Sequence, residues 1–200
     1  MSLFHASDRI APALDRQAAV VRFLPFLYGL TLFVSALLLF SIQPMFAKMV
    51  LPKLGGAPAV WSVAMVFFQT VLLAGYAYAH LLNRALRPRR AAMFHLVLIG
   101  ITAMMLPIAI VPGWGAPPSN GTALWLFGLF AASIGVPFFT LSASAPLLQT
   151  WFAASGHRQA SNPYVLYAAS NLGSFAALFA YPIVIEPFLT LKTQTAAWSV

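Results

Sequence analysis

The chain has 200 residues, 61% of them hydrophobic and only 7% charged, whereas about a quarter of the residues in a soluble domain carry charge. A mean hydropathy of +0.85 agrees, and together these values exclude a soluble globular protein. The absence of cysteine excludes disulfides, thiolate metal sites and cysteine nucleophiles. The net charge of +8 is not a nucleic-acid signature. Arg84, Arg87, Arg89 and Arg90 crowd one short loop between apolar runs, which is the pattern of a membrane topology signal.

In chain order, residues 1–22 read as a short cytoplasmic lead, with a surface-lying helix near residues 13–21. Residues 23–200 read as one transmembrane domain. A bilayer core of about 30 Å demands roughly 20 consecutive apolar residues. Spans are expected over about 23–42, 58–82, 91–111, 122–146 and 163–185, with a partial sixth over 188–200. The first is expected to end at Gln43-Pro44, because proline removes a helix donor. A basic, Gly/Pro-rich connection over 45–57 follows it. Pro137 is an expected kink in the fourth span. Leu147–Asn162 is expected as a polar connection whose first half, LLQTWF, is interfacial, since Trp and Phe favour the headgroup level. The expected fold is therefore all-α: a polytopic transmembrane helix bundle of five full spans plus a partial sixth. Its partner is the lipid bilayer. With the N-terminus cytoplasmic, Arg9, Arg16, Arg22, Arg84, Arg87, Arg89, Arg90 and Arg158 fall inside. Only Lys48, Lys53 and Lys192 fall outside, as the positive-inside rule prefers.

Few polar residues interrupt these runs. The candidate bundle or path residues are Gln43, Lys48, Gln69, Tyr76, His80, Asn171 and Glu186. Trp61, Met65, Gln69, Leu73, Tyr76 and His80 recur at helical spacing, so they share a face. An amide facing lipid leaves donors unpaired, so this face is expected to point into the bundle, Gln69 bonding Asn171. Such a bond serves either as interhelix glue or as the lining of a substrate or proton path. Ala169, Gly173 and Ala177 form a small-residue stripe for close helix packing. Glu186 is the only acidic residue after Asp15. It is expected at the outer interface, either paired with Lys48 or solvated. His95 reads as structural. No metal-ligand cluster, nucleophile–base arrangement or carboxylate pair is evident, so no catalytic, metal or cofactor site is expected within the chain.

The segments FSIQPMFAKMVLPKLGGAPAVWSVAMVFFQTVLLAGYAYAH, SASAPLLQTWFA and SNPYVLYAASNLGSFAALFAYPIVIEP resemble the membrane half of bacterial fused major-facilitator/spermidine-synthase-like proteins. The resemblance covers about Phe23 to the end. It implies an inner-membrane domain that anchors or serves a C-terminal soluble domain of the polyamine aminopropyltransferase type. That domain is expected beyond Val200, since no glycine-rich nucleotide loop stands within these residues. A local echo of major-facilitator transporters is AHLLNRALRPRRAAMF, a basic loop whose usual aspartate is Asn83 here. The alternatives are half of a small-solute transporter, or a structural membrane assembly module.

Overall fold

The computed structural model describes residues 4–54, 56–162 and 164–199, and of residues 4–22 and 161 the backbone alone. All regular structure among them is helical: α1 (Phe4–Leu54), α2 (Pro58–Ala85), α3 (Pro88–Met104), α4 (Thr122–Ala153), α5 (Tyr164–Ala180), α6 (Glu186–Phe188) and α7 (Leu191–Trp198). A short 3-10 turn at Arg158–Ser161 precedes α5, and a π-helical turn at Tyr181–Ile185 joins α5 to α6. Four segments are long and apolar enough to cross a membrane: Phe23–Leu54, Pro58–Ala85, Thr122–Ala153 and Tyr164–Phe188.

Several boundaries depart from expectation. The first helix does not stop at Gln43-Pro44 but continues to Leu54. Proline costs α1 one backbone bond, yet Ile42, Met45, Phe46 and Ala47 around it are buried in the core, and that burial holds the helix through. The third expected span becomes a helix of 17 residues ending at Met104. Pro107 and Pro112 cannot donate helix bonds, and residues 105–121 run without helix. This segment still belongs to the core, for Ile108 is 2% exposed and the Val111 N–H donates to Ser133 Oγ at 3.1 Å. The expected connection from Leu147 is instead the last turns of α4, held by buried Leu147 and Phe152. Asn83 Oδ1 accepts a bond from Trp151 Nε1 there at 3.2 Å, tying α4 to α2. The sixth apolar segment is represented by the eight residues of α7.

Two-residue punctuation separates α2 from α3. Arg87 precedes a proline and is extended, with φ −65° and ψ 149°, as the proline ring requires of its neighbour. Pro88 then opens α3, where a missing N–H costs nothing.

α4 is the hub, with α1, α2 and α3 all packed on it. The most extensive interfaces, however, are α2 with α4 and α1 with α5, and both pairs run parallel. Along α2 and α4, Phe67 meets Phe127 and Phe130, Gly75 meets Ser142, and Asn83 meets Trp151. Along α1 and α5, Gly29 meets Ala169 and Phe33 meets Gly173, and farther along the same direction Lys48 of α1 meets Glu186 of α6. Each pair closes on a glycine. A Cβ at Gly75 would lie 2.6 Å from Ser142 Cβ, and one at Gly173 would strike the Phe33 carbonyl oxygen. The small-residue stripe of α5 therefore does what was expected of it: Gly173 and Ala177 are buried and let two backbones touch. Between the pairs, an aromatic cluster joins α1, α2 and α4. Phe46 and Phe130 rings stand 5.0 Å apart, and Phe68 and Phe138 also 5.0 Å, within the favourable range for such pairs.

Candidate functional site

The polar residues singled out by sequence divide sharply. Lys48 and Glu186 come together, with Nζ donating to Oε1 at 2.7 Å. Their side chains stay 37% and 45% exposed, and they edge a cleft that also takes in Phe40, Trp61 and Tyr181. Glu186 is carried there by the π-helical turn, which contains Pro182. Turns of this kind arise where the regular ladder is interrupted. Tyr181 is buried and its hydroxyl donates to Gln194 Oε1 at 3.1 Å, while Gln194 Nε2 donates to Leu189 O at 2.8 Å. Thus the π-helical turn after α5 is bound to α7 through one amide.

The remaining candidates do not assemble. Gln69 and Asn171 are both exposed and do not bond each other, which overturns the inward Gln69–Asn171 pair. Tyr76 and His80 are exposed too, as are Trp61, Met65 and Leu73, so the whole expected inward face of α2 looks outward. The buried face is Val60, Ala64, Phe67, Phe68, Gly75 and Ala79. Close packing of small residues and phenyl rings on α4 decides the rotation, outweighing the penalty of an outward amide. Gln43 donates to Leu39 O in its own helix at 3.4 Å, and Ser174 bonds Ser170 O, also in its own helix. Neither links two helices.

A second constellation forms around His95, which sequence reading passed over as structural. It is 4% exposed and stands on α3 facing α4. Four hydroxyl and imidazole groups here form a chain whose hydrogens can be placed. Ser144 Oγ donates to Thr140 O at 2.8 Å, which uses its only hydrogen. The 3.1 Å contact of His95 Nε2 with Ser144 Oγ is then an N–H donation from the ring. By the same count Thr140 Oγ1 donates to Val136 O at 2.9 Å, so Thr102 supplies the hydrogen of the 2.7 Å Thr102–Thr140 bond. The neutral ring is left with Nδ1 as an acceptor. Among the described residues this Nδ1 is the one buried side-chain nitrogen or oxygen without a partner. Such a vacancy typically costs about 1–3 kcal/mol. Tyr78 and Trp151 flank the ring, centroids 6.2 and 6.3 Å away.

Beside this chain opens a cavity of about 480 Å³ bounded by α1, α3, α4 and the end of α7. His95, Thr102, Thr140 and Ser144 line it, with Thr31 and Ser35 opposite on α1. No signal in the sequence announced it, because the hydroxyls lie on three helices far apart in the chain. Their spacing of four, Thr140 to Ser144 on α4 and Thr31 to Ser35 on α1, was the legible trace. Among the described residues no group of three or more His, Asp or Glu side chains is placed to hold a metal ion. No known protein family, curated protein or solved structure matches the chain.

Proposed function

We propose that the chain is the membrane module of a spermidine-synthase-like protein, seated in the bacterial inner membrane with its N-terminus in the cytoplasm. It anchors or serves an aminopropyltransferase-type domain lying outside these residues. The observation that carries this reading is the basic end of the bundle. Arg84, Arg87, Arg89 and Arg90 are all exposed on the hairpin between α2 and α3. Arg158 follows the end of α4, which runs parallel to α2, so it leaves the bundle at the same end. Fixed positive charge concentrated at one end favours a cytoplasmic placement and gives a soluble domain a cationic floor.

The resemblance supplies the identity of that domain, and the bundle supplies its support. In this reading the Lys48–Glu186 clasp faces the outside, and α7 begins a further crossing. The test uses the product of the complete reading frame. Decarboxylated S-adenosylmethionine and an amine acceptor should be turned over by the membrane fraction, and by the soluble fraction once residues 1–200 are deleted. Absence of turnover in both fractions overturns the reading.

A further inference from the structure

We propose that the hairpin between α2 and α3 is a binding site for the phosphate headgroup of an anionic phospholipid, held by Arg84, Arg87, Arg89 and Arg90. The charge comes first. All four side chains are exposed, and among the described residues no hydrogen bond or salt bridge reaches any of them. Arg87, Arg89 and Arg90 line one open recess around Pro88. Guanidinium groups crowded in this way repel one another until an anion arrives, and their planar forks match phosphate oxygens two at a time.

No carboxylate with a described side chain can serve as that anion. Glu186 is bonded to Lys48 at 2.7 Å, and both edge the cleft that holds Trp61, in the first turn of α2. From Trp61 to Ala85, α2 rises about 36 Å. At about 0.1 M salt, charges act over only about 10 Å. The described bundle therefore offers the patch no counter-charge.

The apolar surface beside the patch decides what brings the charge. Leu81 lies three residues before Arg84, and Met93 and Phe94 three and four residues after Arg90; each is more than half exposed. One helical turn, about 5 Å, thus separates the arginines from surface suited to acyl chains, on both helices. A soluble anion would meet the charge and leave that surface wet. A phospholipid meets both, with its chains along Leu81, Met93 and Phe94 and its phosphate at the height of the arginines. α2 is long and apolar enough to cross a membrane, and basic clusters just beyond such helices recognise anionic lipid. The inference shares with the proposed function only that the hairpin lies at a membrane surface. Loss of turnover would leave it standing, and loss of lipid binding would leave turnover standing.

The test immobilises the product of the complete reading frame in dodecyl maltoside. It is titrated with radiolabelled dioleoylphosphatidylglycerol or dioleoylphosphatidylcholine, which share their chains and differ in head charge. At about 0.1 M salt the anionic lipid should bind at least tenfold more tightly, and at about 1 M, where charges act over about 3 Å, the preference should fall below threefold. Combining Arg87→Gln, Arg89→Gln and Arg90→Gln should do the same at low salt with the circular dichroism unaltered. Should that variant fail to fold, Arg89→Gln alone should lower the preference at least threefold. Inorganic phosphate in hundredfold excess over the lipid should not displace it, because phosphate lacks the chains. Equal binding of the two lipids overturns the proposal, for then a protein surface already neutralises the arginines. A preference that survives high salt or the folded variants also overturns it. Displacement by inorganic phosphate does so too, since it would leave a soluble-anion site only.

Discussion

Phe33 and Gly173 meet backbone to side: the carbonyl oxygen of one occupies the space where a Cβ on the other would stand. This contact sets how near α1 and α5 approach, and together with Gly29, where an added Cβ would lie 3.9 Å from Ala169 Cβ, it sets their register. Because the obstructing atom is backbone, no rotamer change relieves a larger residue. Gly173→Ala should therefore destabilise the bundle by about 1–3 kcal/mol, the usual range for overpacking. Unfolding in mixed micelles measures it, and a loss under about 0.5 kcal/mol would show that the helices separate freely.

The clasp beyond the end of α5, between α1 and α6, behaves differently. Lys48 and Glu186 are bonded at 2.7 Å but more than a third exposed, and pairs in such surroundings are worth about 0–1 kcal/mol. A double-mutant cycle with Lys48→Met and Glu186→Gln should give a coupling energy inside that range. A coupling above about 2 kcal/mol would mean that lipid screens the pair far less than water does.

For Gln69, outward placement reverses the sign anticipated from sequence. Gln69→Leu removes an exposed amide from a membrane-crossing helix and breaks no interhelix bond, so stability should hold within about 0.5 kcal/mol or rise. A drop above about 1 kcal/mol would reveal a partner for the amide.

Topology is directly accessible because the chain has no cysteine. Single cysteines at Ala85 and Ser119, both exposed, fall on opposite sides of the membrane in the proposed orientation. A membrane-impermeant maleimide added to intact cells should label Ser119→Cys and spare Ala85→Cys. The opposite pattern turns the orientation over.

Much of the architecture was legible because a bilayer restricts what a long apolar run can become. Helix was the one spanning structure open to these segments, and the two interfacial charges Lys48 and Glu186 had few other partners. What sequence could not settle was rotation. In a soluble helix the apolar stripe marks the core; in α2 both faces are apolar, since lipid is as greasy as Leu. The polar residues Gln69, Tyr76 and His80 looked like the marker. The deciding marks were Gly75 and Ala79, whose lack of bulk is visible in sequence but whose complement, the Ser142–Ala143 backbone of α4, is not. Helix ends were obscured for a related reason. Pro44 and Pro146 signal a stop in water, yet both lie within continuous helix here, where burial on neighbouring helices maintains the run. His95 was unremarkable in sequence because a hydrogen-bond chain across two helices leaves no periodicity.

The parallel pairing of α1 with α5 also fixes an order of events during synthesis. Two parallel membrane helices cannot be neighbours joined by a tight turn, and α2, α3 and α4 all intervene between these two. When α1 leaves the ribosome, its principal partner has not yet been made. At about 5–20 residues per second, α1 waits on the order of ten seconds in the bilayer before α5 arrives. During that interval the groove around Phe33 is lined by lipid, and Gly173 must displace it to dock.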